Sequence, residues 1–209
     1  MDKDFFDEEW DIPKENKPKE KNPTSSTKRT FFAVIDFIKT TIIVVFLALI
    51  IRLFVVQPFI VEGQSMLPTF SNNDYLITEK ISYLLRSPKR GEVVIFHPPD
   101  NPSVNYIKRI VGLPGDTIEV KDQGVFVNSQ KISEPYLTSN EQTNVATKDL
   151  TLTLKDGEYF VFGDNRNHSR DSREIGPIPY VNIVSRIWIR LLPVDNINAF
   201  AAINYDSVN

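Results

Sequence analysis

The chain has 209 residues, enough for one ordinary domain with attachments. Its formal net charge of -3 argues against a nucleic-acid-binding protein, which would usually carry a basic excess. The absence of cysteine excludes disulfides and thiolate metal sites, and it suits an oxidising exterior without establishing one.

The first thirty residues differ in composition from the rest. Residues 1–30 are mostly polar and charged, with an acidic beginning and a basic end. Such a segment buries too little apolar surface to offset the entropy lost on ordering. We therefore predict a disordered tail, in which Phe5, Phe6 and Trp10 form either a short docking motif or an incidental cluster.

An apolar run follows over residues 40–56. Its length is at the short end of the roughly 20 residues that a bilayer core of about 30 Å requires. The alternative is a buried helix of a soluble domain, but the run is apolar on all sides. Arg52 near its end can extend towards the interface, so it does not exclude a span. We predict a transmembrane anchor over residues 31–58.

The charges around this run indicate its orientation. Lys28, Arg29 and Lys39 lie on its N-terminal side, which favours a cytoplasmic N-terminus and an exported C-terminal domain. The preceding tail is too long for a cleavable signal peptide, and no small-x-small site follows the run. The anchor is therefore expected to be permanent and single-pass.

The remaining residues, 59–209, have the pattern of a β-sheet domain. Short runs such as EVVIFHPP, NYIKRIVG and EYFVFGD are rich in β-branched and aromatic residues and are separated by Gly, Pro, Asn and Asp. The stretch VKDQGVFVN predicts a hairpin with Gly124 at a turn position of positive φ. Only DYLITEKISYLLR suggests a short helix. The fold class is therefore mostly β, with a compact β-sheet domain following the anchor.

Ser65, in VEGQSMLPTF, is a candidate nucleophile directly after the apolar run. A triad of Ser65 with His168 and either Asp164 or Asp171 is one way to activate it. The serine lacks the G-x-S-x-G turn of many such enzymes. His97, the other histidine, follows a strand and precedes two prolines, which is typical of an exposed loop.

Lys108, in NYIKRIVGLPGD, is the alternative activator. On a strand, it shares one face with Tyr106 and Ile110, whereas Arg109 lies on the opposite face. Desolvation among these apolar neighbours favours the neutral amine. Lowering the pKa of a lysine from about 10.4 to about 8 would cost roughly 3 kcal/mol, which a domain of this size can bear. The plain alternative is that Lys108 is solvated, like most lysines.

Three motifs together resemble a known family. GQSMLPTF, YIKRIVGLPGD and GDNRNHSRDSREIG, in this order after an N-terminal apolar segment, are similar to type I signal peptidases of the bacterial type. The resemblance covers roughly residues 40–193. It implies a mostly β fold and a membrane-anchored endopeptidase that removes signal peptides at Ala-x-Ala-type sites. It also implies a Ser–Lys dyad that needs no cofactor or metal.

The resemblance assigns roles to individual residues. Ser65 would be the nucleophile, with its backbone N–H as an oxyanion donor, and Lys108 the general base. Ser169 would hydrogen-bond the lysine and orient its amine. Gly63 occupies the position where some family members have a serine that completes the oxyanion hole, so a second donor would have to be water or backbone.

Further residues have implied supporting or substrate-binding roles. Gly163 and Asp164 would fix the turn that brings Ser169 towards Lys108, and an ion pair of Asp171 with Arg173 would brace that strand. The implied apolar pockets for the residues before the cut are lined by Val61, Met66, Phe70, Tyr106 and Ile107.

The expected partners are signal peptides of preproteins, the lipid bilayer and the protein-export translocon, with no nucleic acid. The expected location is the plasma membrane, with the catalytic domain on its outer face. Two other hypotheses remain: a self-cleaving regulator with similar Ser–Lys chemistry, and a catalytically silent β module that binds export machinery.

Overall fold

The computed structural model describes residues 24–121, 124–137, 149–203 and 205. The predictions for residues 1–23, including the aromatic cluster, lie outside the described residues. The chain divides into two compact units, Met1–Phe46 and Leu47–Asn209.

A long helix, α1 (Thr24–Ile50), carries the apolar run. Its segment Arg29–Ile50 has 22 residues, none of them buried, and is long and apolar enough to cross a membrane. At 1.5 Å per residue this segment spans about 33 Å, which matches a bilayer core of about 30 Å. The helix begins inside the predicted tail and ends before the predicted anchor does, and a π-helical turn follows over Ile51–Val55.

The second unit is built mainly of β-strands, numbered here in chain order. They are β1 (Val56–Ile60), β2 (Tyr75–Glu79), β3 (Val93–Phe96), β4 (Tyr106–Gly112), β5 (Thr117–Lys121), β6 (Gly124–Val127), β7 (Gln130–Lys131), β8 (Leu150–Thr153), β9 (Glu158–Phe162), β10 (Ile178–Pro179), β11 (Ile183–Leu192) and β12 (Asn198–Ala199). Two short helices, α2 (Ile81–Leu85) and α3 (Ser172–Ile175), lie between them. The prediction of a mostly β domain is confirmed.

In the described part of the chain these strands form two antiparallel sheets. The larger has eight strands in the order β1-β2-β11-β3-β4-β9-β10, with β12 paired to β11. The smaller has four strands in the order β7-β6-β5-β8. Strand β4 is therefore interior to the larger sheet, where β3 pairs on one side and β9 on the other.

Strand β4 also connects the apolar cores. Ile107 packs against the cluster that contains Met66 and Phe70, Ile110 belongs to a second cluster, and Val111 belongs to a third. Packing on both faces and hydrogen bonding on both edges leave this strand little freedom to move. It is a rigid support for any side chain placed on it.

Several local predictions differ from the structure. The predicted hairpin is present, but Gly124 pairs with Lys121 in the ladder and is not among the positive-φ residues. The stretch predicted as a short helix is split between β2 and the single turn of α2. Strand β1 begins at Val56, inside the predicted anchor, because its backbone pairs with β2.

Candidate active site

Ser65 lies in the loop between β1 and β2, and its backbone is held from the loop after β9. The backbone N–H of Asn165 donates to the carbonyl oxygen of Ser65 at 3.0 Å. Its side-chain Nδ2 donates to the backbone carbonyl oxygen of Gln64 at 3.1 Å. Gly63 has a φ of +94°, a conformation that favours glycine, and donates to Asn72 Oδ1 at 2.9 Å. The role of Asn165 was missed, because nothing in its sequence context marks it.

Lys108 on β4 reaches the nucleophile candidate directly. Its Nζ lies 2.7 Å from Ser65 Oγ and 2.9 Å from the carbonyl oxygen of Ile107. The residue is only 4% exposed, so its amine is out of bulk solvent. The solvated alternative for Lys108 is therefore wrong.

Burial changes the acid–base behaviour of this amine. Desolvation is the main cause that lowers the pKa of Lys108 to about 8, and the charge of Arg173 also lowers it. The charges of Asp171 and Asp164 act in the opposite direction and raise this pKa. A lysine of this pKa is partly neutral near pH 8 and can accept a proton from a hydroxyl in contact with it.

Ser169 and Gly163 bring two loops together beside Ser65. A Cβ added at Gly163 would lie 2.1 Å from Ser169 Oγ and 2.5 Å from the carbonyl oxygen of Ser65, so only glycine permits this approach. Ser169 Oγ is buried and has no hydrogen-bond partner among the described residues. The expected bond from Ser169 to Lys108 is therefore not formed in this structure.

The ion pair of Asp171 with Arg173 is present and two-pronged. Arg173 Nε lies 2.8 Å from Asp171 Oδ1, and its Nη2 lies 2.8 Å from Oδ2. The ion pair was predicted to brace a strand that carries Ser169. This prediction is wrong, because Ser169 lies in no strand but between a 3₁₀ turn at Arg166–His168 and α3. Asp171 instead caps α3 and accepts the backbone N–H of Gly163 at 3.0 Å.

Asp164 does more than fix a turn. Its two oxygens accept from Arg109 Nε at 2.9 Å and Nη2 at 2.6 Å, and Thr69 donates to Oδ2 at 2.5 Å. These contacts join β4, the Ser65 loop and the loop after β9. The sequence placed Arg109 on the strand face opposite Lys108, and that alternation was its only available signal.

A further buried cation was missed entirely. Arg166 pairs with Glu134 and donates to the hydroxyl of Tyr136 at 3.1 Å, and that hydroxyl lies 3.0 Å from the one of Tyr205. These residues are far apart in sequence, so no local pattern could connect them.

The histidine triad is not assembled. His168 Nδ1 lies 3.2 Å from Asn165 Oδ1, and the side-chain contacts of Asp164 and Asp171 described above lead to arginines, to Thr69 and to the Gly163 N–H. His97 Nδ1 lies 3.1 Å from the carbonyl oxygen of Val104, in its own loop.

Two adjoining cavities lead to the contact between Ser65 and Lys108, the candidate dyad. The first, which we call the groove, has a volume of about 340 Å³ and is lined mainly by apolar side chains, among them Phe59 of β1, Val61 directly after β1 and Ile107 of β4. The second, the dyad cavity, has a volume of about 360 Å³ and contains Ser65 and Lys108. Both have Ile107 in their lining, so the groove leads to the dyad.

Three of the five residues predicted to line substrate pockets line these two cavities. Val61 and Ile107 line the groove, and Tyr106 and Ile107 line the dyad cavity. Met66 and Phe70 line neither, because they point into the core and are 1% and 0% exposed. They belong to the apolar cluster that contains Val61 and against which Ile107 packs, so they support the lining of the groove.

Comparison with known proteins gives the family. The family model described as "signal peptidase, peptidase S26" matches residues 34–192. The chain belongs to this family. It is 38% identical over 182 residues to a signal peptidase I of Leptolyngbya laminosa, covering 84% of this chain and 88% of the relative. It is 42% identical over 147 residues to a signal peptidase I of Bacillus licheniformis, covering 68% and 78%.

Among solved structures, a signal peptidase I from Enterococcus faecalis V583 is 32% identical and covers 48% of this chain and 97% of its own, with a TM-score of 0.42.

Membership makes the chain a serine endopeptidase of the signal peptidase I type, a family that removes signal peptides from preproteins. A self-cleaving regulator and a silent binding module are therefore not supported. The N-terminal apolar helix is consistent with a membrane anchor.

Proposed function

We propose that the enzyme cleaves preproteins at Ala-x-Ala-type sites with a dyad of Ser65 and Lys108. The observation that carries the proposal is the 2.7 Å contact between Lys108 Nζ and Ser65 Oγ, in which Lys108 is only 4% exposed. A neutral amine at this distance can take the hydroxyl proton as the oxygen attacks.

The reaction follows from this contact. The neutral amine of Lys108 accepts the proton of Ser65 Oγ while Oγ bonds to the scissile carbonyl carbon, and the backbone N–H of Ser65 donates to the resulting oxyanion. The ammonium then returns the proton to the leaving amine, which leaves an ester on Oγ. Water, deprotonated by the same amine, hydrolyses that ester and frees Ser65.

The groove supports the proposed substrate class. Side chains of an extended peptide alternate, so the first and third residues before the cut share one face. With the scissile bond at Ser65, that face turns towards the apolar lining around Ile107 and Val61. Small apolar side chains such as alanine suit these walls, and family membership favours the same preference.

The anchor supports the proposed location. We place the N-terminus in the cytoplasm and the β domain on the outer face of the plasma membrane, near the translocon that delivers preproteins. The basic residues before the apolar run, including Arg29 and Lys39, favour this orientation. Protease added to right-side-out vesicles should then digest the chain beyond residue 60 and spare the tail, and the reverse pattern would contradict it.

The cleavage test uses the full chain in detergent with an Ala-x-Ala preprotein. Sequencing the new N-terminus should locate the cut directly after the second alanine. Ser65→Ala and Lys108→Ala should lower kcat by at least about 10³-fold, whereas His168→Ala should change it less than about threefold. An inactive His168→Ala beside an active Lys108→Ala would refute the dyad.

A further inference from the structure

A polar link crosses the rim of the dyad cavity. Arg170, in the loop after β9, donates from Nη2 to Asp100 Oδ2 at 2.5 Å, and Asp100 lies in the loop between β3 and β4. The same guanidinium donates from Nη1 to the hydroxyl of Tyr106 at 3.3 Å. Arg170 and Tyr106 both line the dyad cavity, so this link holds its two sides together.

The ring of Tyr106 faces the base. Its centroid lies 5.3 Å from Lys108 Nζ, and the ring also makes an edge-to-face contact with Phe96, with centroids 6.0 Å apart and an interplanar angle of 84°. The ring thus covers one side of the amine, and Tyr106 and Lys108 both line the dyad cavity. Phe96 fixes one side of the ring, and Arg170 fixes its hydroxyl end.

We propose that Arg170 and Asp100 are positioning residues that hold the ring of Tyr106 over the amine of Lys108 and thereby keep water away from it. The inference rests on the dyad of the proposed function. Water excluded from an amine no longer stabilises its charged form, and this loss outweighs the weaker attraction of a ring face for an ammonium, so the ring favours the neutral base.

Charged side chains around Lys108 also change its pKa, and an experiment must separate their effect from that of the Tyr106 ring. From the loop after β9, Asp171 and Asp164 raise the pKa of Lys108, whereas Arg173 lowers it. Ser65, from the loop after β1, is neutral at this contact. The charge of Arg170 would itself lower the pKa of a nearby amine, so removing Arg170 alone cannot distinguish charge from position.

Removing Asp100 makes the distinction, because the two explanations predict opposite signs. If only charge acts, Asp100→Ala removes a negative charge and lowers the pKa of Lys108. If the link positions Tyr106, the same change loosens the ring and raises that pKa. Tyr106→Phe cuts the link without any change of charge and should also raise it.

The measurement follows the Cε resonance of Lys108 by NMR in the full chain labelled with ¹³C-lysine, with the signal assigned from its loss in Lys108→Ala. Asp100→Ala and Tyr106→Phe should raise the pKa of Lys108 to about 9, which lowers kcat/KM about fivefold at pH 8 and hardly at all at pH 10. Both variants should fold, because Arg170 and Asp100 are each about half exposed and such pairs add little stability.

The matched control is Glu174→Gln. Glu174 Oε2 lies 3.8 Å from Arg170 Nε one helical turn along the same segment, so this variant removes a carboxylate from the same guanidinium without cutting the link to Asp100. It should leave the pKa of Lys108 unchanged. An unchanged or lowered pKa in Asp100→Ala, with cleavage still dependent on Lys108, would overturn the positioning role alone. Normal cleavage by Lys108→Ala would overturn the dyad itself.

Discussion

Two adjacent cations on β4 are both buried, yet their surroundings are opposite. Arg109 forms a two-pronged ion pair with Asp164, at 2.9 and 2.6 Å. Among the described residues, Lys108 Nζ hydrogen-bonds to two neutral groups, the Ser65 hydroxyl and the Ile107 carbonyl. Both lose solvation, but a carboxylate in direct contact compensates only Arg109. One cation is thereby fixed as a structural charge, and the other is suited to be the proton acceptor of the proposed dyad.

The chemistry of the two side chains matches these environments. Burial lowers the pKa of Arg109, but its bond to Asp164 raises it, and the net direction is upward. A guanidinium remains charged in proteins and suits a two-pronged contact, whereas an ammonium releases its proton when desolvated. Exchanging or removing these side chains should therefore have effects of predictable sign.

The largest effect is expected from Lys108→Arg, which gives both positions a permanent charge. Since a guanidinium cannot accept the Ser65 proton, kcat should fall at least about 10³-fold at every pH up to 10. Steady-state cleavage of a preprotein at several pH values checks this. Activity above a tenth of normal would show that no neutral base is needed at this position.

The next largest effect should come from Arg109→Met. It leaves Asp164 buried without its ion-pair partner, so the free energy of unfolding should fall by about 3–5 kcal/mol. Lys121→Met is the control, because Lys121 is 42% exposed and pairs with Glu119 near the surface. That variant should change stability by less than about 1 kcal/mol in the same denaturation experiment. Equal losses would contradict the distinction between buried and exposed pairs.

Lys108→Met should act in the opposite direction. The pKa of Lys108 is about 8 in the folded chain, below the value of about 10.4 expected in the unfolded chain, so the unfolded chain binds more protons between these values. The charged lysine therefore costs stability below pH 8, and this cost disappears as the pH rises above about 10.4.

Denaturation of Lys108→Met should thus show a gain of up to about 3 kcal/mol at pH 7 that vanishes near pH 10.5. A gain independent of pH would mean that packing, rather than the proton, separates the two side chains.

The smallest effect should come from Ser169→Ala. Ser169 Oγ is buried and has no partner among the described residues, so its loss should leave the melting temperature unchanged. If the hydroxyl orients Lys108 during turnover, kcat should fall about tenfold. Ser172→Ala is the matched control, because Ser172 Oγ accepts from the Val161 N–H at 2.9 Å. That variant should lose about 1 kcal/mol of stability with kcat unchanged.

The fold class could be predicted because strand residues alternate and turns have their own residue types. The same alternation placed Lys108 and Arg109 on opposite faces of β4, as the structure has them. Alternation also indicated that apolar neighbours would desolvate Lys108. The element boundaries were less accurate, because Val56 reads equally well as the end of an apolar helix and the start of a strand.

The partners of the buried charges could not be predicted. Arg109 and Asp164 are 55 residues apart, and Arg166 and Glu134 are 32 apart, so their pairing depends on the order of strands in the sheet. Met66 was expected to line a substrate pocket because the family resemblance implied it. A loop has no fixed period, so its sequence does not show which residues point inwards.

Gly163 sets a limit on how this sequence can vary. The space for its missing Cβ is filled by Ser169 Oγ and the Ser65 carbonyl oxygen, at 2.1 and 2.5 Å. In a library randomised at this codon, selection for cleavage should return glycine alone, with alanine, the smallest alternative, already absent. The close approach of the loop that carries Ser65 to the loop that carries Ser169 therefore requires a residue without a Cβ at position 163.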